Sequence, residues 1–186
     1  MSVEIVADGA PPPRRPRSAR PLAIGAAALA LLFLWVRGSP SLLAWEVARD
    51  HQRCFGRRHL PARVWSDDPS EVRAWLEARG TPTPPLPSHA HAAELVGARY
   101  CPLDDRVAAH VYYGGEGGTV SVFLLSGPAR VGDGWAGLSR GLHVRLLRAA
   151  GRVLAIVGES EADVEATAQA FATTVAAAPS AGVARG

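Results

Sequence analysis

From Leu22 to Val36 the chain carries no charged and no strongly polar side chain. After that run the apolar positions become periodic. "PSLLAWEVARDHQRCF" (40–55) reads as a helix with Pro40 in its first turn and Ser39 as cap. "HLPARVW" gives a short strand around Arg63–Trp65. In "SDDPSEVRAWLEARG" Asp67 or Asp68 caps a helix, Pro69 opens it, and Val72, Trp75 and Leu76 form its buried stripe before Gly80. "TPTPPLPSHAHA" is a proline-rich loop, and "AELVGARYCPL" a strand. "VAAHVYYGGEGGTVSVFLLSG" and "LHVRLLRAAGRVLAIVGES" each read as a hairpin, the second turning at Ala150–Gly151. "SEADVEATAQAFATTVAAA" closes the order as a helix capped by Ser160, with Val164, Ala168, Phe171 and Val175 inward. Consecutive strands with helices at the ends predict an α+β domain with a small antiparallel sheet.

The apolar run is short for a membrane span, but Pro21 at its entry and a snorkelling Arg37 extend it. Leu22, Ile24, Leu29, Leu31, Leu32, Phe33, Leu34, Trp35 and Val36 make the expected anchor, with Leu42, Leu43 and Trp45 near the far interface. A cleaved signal peptide needs an A-x-A-like site, and "RGSPSLLAWE" fits that poorly. Arg14, Arg15, Arg17 and Arg20 hold the N-terminal side in the cytoplasm. The expected organisation is a disordered cytoplasmic tail (1–20), an anchor with its juxtamembrane segment (21–45), an extracytoplasmic domain (46–178) and a disordered C-terminal tail (179–186). That is a single-pass protein of the bacterial inner membrane, whose first partner is the lipid bilayer. Gly25, Ala28 and Ala30 permit close packing of another helix.

Composition narrows the chemistry. All 20 basic residues are arginine against 17 acidic ones, a net charge of +3. The absence of lysine excludes Schiff-base, Ser-Lys and Walker-type lysine mechanisms. Beyond Gly38 the arginines are dispersed, with no aromatic stripe to track a phosphate backbone, so nucleic acid is not an expected partner. "GGEGGT" lies between strands and lacks the Lys-Ser/Thr of a phosphate loop. No H-E-x-x-H, G-x-S-x-G or C-x-x-C is present, and no catalytic residue is assigned.

The two cysteines remain. Outside the cytoplasm a Cys54–Cys101 disulfide is the simplest expectation, worth about 4 kcal/mol in the chain-entropy model. A second reading makes His51, Cys54, Cys101 and His110 a copper or zinc site, because thiolate and imidazole suit those ions. Free or redox-switching thiols are the third. His51 and Cys54 are three apart and share one helix face. His89 and His91 in "SHAHA" read as a solvated loop, and His110 in "AAHVYY" as a hydrogen-bonded strand histidine.

"DHQRCF", "ELVGARYCPL", "AAHVYY" and "TVSVFLL" together resemble the extracytoplasmic part of bacterial membrane-spanning anti-sigma factors of the zinc-finger type. The likeness covers roughly residues 46–125. It implies a non-catalytic outer domain that senses a condition or binds a protein partner in the membrane or periplasm. The family's cytoplasmic His-x-x-x-Cys-x-x-Cys motif has no counterpart, since residues 1–20 contain neither cysteine nor histidine. No sigma-binding residue carries over. The rival expectations are a periplasmic metal or redox protein and an accessory subunit of a membrane complex.

Overall fold

The computed structural model describes residues 39–56, 63–103, 106–115, 118–125 and 134–178. Each of the three helices among the described residues begins where the chain satisfies its first free N–H groups. In α1 (Pro40–Gly56) the Ser39 hydroxyl accepts from the Leu42 N–H at 3.2 Å. In α2 (Pro69–Glu77) the Asp68 carboxylate accepts from the Ser70 N–H at 2.8 Å, and proline occupies the first turn. In α3 (Glu161–Ala177) the Ser160 hydroxyl accepts from the Asp163 N–H at 3.3 Å. These caps are the ones the sequence predicts.

The strands are β1 (Val64–Trp65), β2 (His89–Ala90), β3 (Ala93–Leu103), β4 (Arg106–Gly115), β5 (Gly118–Leu125), β6 (Ala136–Ser139), β7 (Leu142–Ala149) and β8 (Arg152–Gly158). They form one antiparallel sheet in the order β1-β3-β4-β5-β8-β7-β6, with β2 also on β3. The fold is α+β, as expected. Two short strands add to the expected ones: His89–Ala90, in the expected loop, pairs with Glu94 and Ala93, and Ala136–Ser139 pairs with β7. The β7–β8 hairpin turns at Ala150 and Gly151, both at positive φ (49° and 74°). Glycine carries that conformation at no steric cost and alanine does not.

Helices cover both faces of the sheet. α2 and α3 pack on one through Val72, Leu76, Val164, Ala168 and Phe171, against Leu95, Val111, Tyr113, Val122 and Ile156. α1 packs on the other through Leu43, Ala44, Val47 and Ala48, against Phe123, Leu125, Val144, Leu146 and Val157. Leu43 and Ala44, assigned by sequence to the juxtamembrane segment, are therefore core residues of the domain. Burial on both sides explains why β4, β5 and β8 read as near-continuous apolar runs. Trp75 packs on Tyr100 with ring centroids 5.6 Å apart, whereas Trp45 and Trp65 are exposed.

β3 holds the one irregularity that positions the site. Its register against β4 slips between Leu95 and Gly97, which leaves Val96 as a bulge. Before the bulge Ala93 and Leu95 face α2 and α3, and after it Ala98 continues on that side. The shift turns Cys101 toward α1. Gly97 (φ +151°) permits it, since a Cβ there would run into the Val64 carbonyl oxygen.

The anchor residues Leu22 to Val36 lie outside the described residues, as do both tails and His59. Among the described residues no helix is long and apolar enough to cross a membrane.

Candidate metal centre

α1 and three strands beneath it bring together a buried polar cluster. Asp50 and Cys54 are four residues apart on α1, so both point at the sheet. Cys101 on β3 and His110 on β4 rise to meet them. One donor atom from each of Asp50, Cys54, Cys101 and His110 lies within 4.8 Å of every other, and all four residues are buried. The separations are 3.2 Å from Cys101 Sγ to His110 Nδ1, 3.8 Å from Cys54 Sγ to the same nitrogen, and 3.6 Å from Cys54 Sγ to Asp50 Oδ2. Asp50 Oδ2 is 3.8 Å from His110 Nδ1.

These spacings carry a geometric meaning. A tetrahedral ion with bonds of about 2.0–2.3 Å sets its ligand atoms about 3.3–3.8 Å apart. Four of the six donor–donor separations, 3.2–3.8 Å, fall close to that range, and the two from Cys101 Sγ to Cys54 Sγ and to the Asp50 carboxylate lie within 4.8 Å.

A second set of contacts supports His110 from behind. Its Nε2 is 2.6 Å from Ser121 Oγ, and the same hydroxyl is 2.8 Å from His51 Nδ1. A hydroxyl has one proton, so Ser121 accepts from one imidazole and donates to the other. The ring of His110 stacks on Phe123 at 4.1 Å and lies 4.2 Å from Tyr112. Phe55 adds its ring 4.7 Å from that of His51. The imidazole therefore has little freedom to rotate away.

Electrostatics keep both histidines neutral, the form a metal ligand and its partner require. Burial holds His51 down to about 4. Burial, then the charges of Arg99 and His51, hold His110 well below its usual value. Arg99 sits two residues before Cys101 on the same strand face, and its Nε–H donates to Cys101 Sγ at 2.8 Å. Cys101 is nonetheless pushed up, first by its hydrogen bond with Cys54, then by burial and the Asp50 charge, with Arg99 opposing. Without an ion this thiol keeps its proton. The Tyr112 hydroxyl is buried with no hydrogen-bond partner among the described residues.

Several expectations change here. Cys54 and Cys101 are free thiols, not a disulfide, although their sulfurs lie within 4.8 Å of each other. Of the expected metal set, Cys54, Cys101 and His110 come together but His51 does not join them. Its Nδ1 is turned to Ser121, and Asp50 takes the fourth place. His89 and His91 are exposed, 3.7 Å from a Glu94 oxygen and 3.2 Å from an Asp163 oxygen respectively. Asp50, Arg99 and Ser121 escaped the sequence reading. The i, i+4 spacing of Asp50 and Cys54 and the i, i+2 spacing of Arg99 and Cys101 were the available signals.

No family model matches this chain, and no curated protein or solved structure compared with it matches either.

Proposed function

We propose that this chain is a membrane-tethered metal-binding protein whose α+β domain holds one thiophilic transition-metal ion, copper or zinc, between α1 and the sheet. The observation that carries the reading is the convergence of four buried donors from Asp50, Cys54, Cys101 and His110 within 4.8 Å of one another. Two sulfurs and an imidazole suit soft and borderline ions. When Nδ1 of His110 presents its lone pair to the ion, Nε2–H donates to Ser121 Oγ and that hydroxyl donates on to the neutral His51. Such outer contacts fix a ligand's tautomer and orientation.

Four protein donors leave no open position for substrate or water, which favours a structural or sensing role over catalysis. The proposed site also suits the sensor expected from the anti-sigma likeness, with metal occupancy as the condition sensed. Two of the donors sit on α1, which begins four residues after the end of the apolar run at Val36. The extracytoplasmic placement rests on that run and on the arginines before it.

The test is reconstitution. Full-length protein purified in detergent, reduced and stripped with chelator, is titrated with Zn2+ and with Cu+. The expected result is one equivalent bound, and loss of that equivalent in Cys101→Ser. A fully reduced protein that binds neither ion, or a Cys101→Ser variant that binds as before, sinks the reading.

A further inference from the structure

Asp50 sets this cluster apart from an ordinary thiolate–imidazole site. It is a hard, anionic donor beside two soft ones, and it is buried on the helix face that carries Cys54. In the metal-bound form the cluster holds three anionic donors: Asp50 and the two thiolates. Arg99, donating to Cys101 at 2.8 Å, supplies one positive charge against them. The charges acting on Cys101 come from these same groups, Asp50, Cys54 and Arg99. A double negative deficit is left, in a place where uncompensated charge is expensive.

We infer that the centre is built for a divalent ion of the zinc type and that Asp50 is the residue that makes it so. This deepens the metal-binding reading above and rests on it. A divalent ion cancels the deficit and accepts a carboxylate as readily as a thiolate. Cu+ would leave a net negative charge buried under α1. It is also satisfied by two or three soft donors, so the carboxylate adds little to its binding. Asp50 thus contributes a ligand and a charge that count for zinc and not for Cu+. Arg99 balances the cluster without entering the coordination sphere.

Asp50→Asn separates these roles, because it keeps the side chain's size and removes its charge. Zinc and Cu+ affinities of full-length wild type and variant are measured by competition with chromophoric chelators specific for each ion. Zinc affinity is expected to fall by at least ~100-fold, at or beyond the upper end of what outer-shell changes cost. Cu+ affinity is expected to stay within about threefold, as the two thiolates and His110 that suit that ion are untouched. Equal losses for both ions, or no loss for zinc, overturn the inference while leaving the metal site standing. Wild type that binds neither ion instead defeats the reading beneath it. If Asp50→Asn does not fold, X-ray absorption of the zinc-loaded wild type decides. Two sulfurs at about 2.3 Å and two lighter donors at about 2.0–2.2 Å support Asp50 as a ligand, and two sulfurs with a single lighter donor overturn it.

Discussion

The two faces of the central sheet are made from the same strands and do opposite things. On β4, Ala109, Val111 and Tyr113 face α2 and α3, while Ala108, His110 and Tyr112 face α1. On β5, Val120, Val122 and Leu124 take the first face, and Ser121, Phe123 and Leu125 the second. The first face is almost wholly apolar, and its few polar atoms are tied to backbone carbonyls: Tyr113 to Pro87 at 2.9 Å and Thr167 to Asp163 at 2.7 Å. The second buries Glu46, Asp50, His51, His110 and Ser121. Both faces are equally shielded from water, so the difference lies in what the buried atoms need. An apolar face is stabilised by burial itself, whereas a polar one must find partners for every donor and acceptor. On the α1 face side chains pair with side chains, Ser121 with both His51 and His110, and such networks specify one arrangement tightly.

The strongest way to break the contrast is to damage the apolar face and ask whether the polar one notices. Phe171 is fully buried on α3, with its ring 6.0 Å from that of Tyr113. Phe171→Ala is expected to destabilise the metal-free domain by about 3–5 kcal/mol, the usual cost of emptying an aromatic site. Denaturant unfolding of the stripped protein measures it. Below the midpoint, the variant should still bind one metal equivalent. Lost binding in a folded variant would mean the two faces are not independent.

A smaller effect comes from the opposite face. Ser121→Ala removes the hydroxyl shared by two buried imidazoles and leaves His51 Nδ1 and His110 Nε2 without it. An orphaned buried polar group costs about 1–3 kcal/mol, and the loss should fall in that range. Thr167→Val is the matching change across the sheet. Its hydroxyl donates to the Asp163 carbonyl within its own helix, so removal should cost no more than about 1 kcal/mol. Comparable losses from the two variants would deny the α1 face its special dependence on pairing.

The same division explains what the sequence discloses. Caps at Ser39, Asp68 and Ser160 and the glycine turns are local signals, and the helices and hairpins follow from them. The cluster depends on two phases that local patterns do not contain. One is the rotation of α1 about its axis, which brings Asp50 into the cluster with Cys54 and turns His51 to Ser121. The other is the Val96 bulge. Counting by twos from Ala93 and Leu95 would send Cys101 to the apolar face, and the extra residue reverses that. The disulfide expectation followed from compartment and cysteine number, with no knowledge that a histidine and a carboxylate would share the same few ångströms. His110 is expected either as a hydrogen-bonded strand histidine or as a metal ligand, and Ser121 carries no expectation, yet a polar residue inside a strand buried on both sides is itself a clue.

A similarly small effect belongs to Tyr113, whose hydroxyl is another polar atom on the apolar face. Its phenol donates to the Pro87 carbonyl, and burial pushes its pKa up. Tyr113→Phe keeps the ring and removes the bond, which should cost about 1 kcal/mol at neutral pH. The pH dependence then runs the other way. In the folded state the phenol stays neutral while an unfolded tyrosine ionises near pH 10, so the unfolded chain binds fewer protons above that pH. The stability contributed by the neutral phenol is complete below about pH 10 and declines above it at up to about 1.4 kcal/mol per pH unit. The phenylalanine variant escapes that decline, and the titrations of Tyr112 and Cys101 are common to both proteins and cancel. The gap between wild type and variant should therefore close near pH ~11, the point at which the ionisation term matches the hydrogen bond. Unfolding curves of the metal-free proteins from pH 7 to 11 measure it. A gap that stays constant with pH would show that Tyr113 ionises alike in the folded and unfolded chains, so that water reaches it and this face is not the dry one.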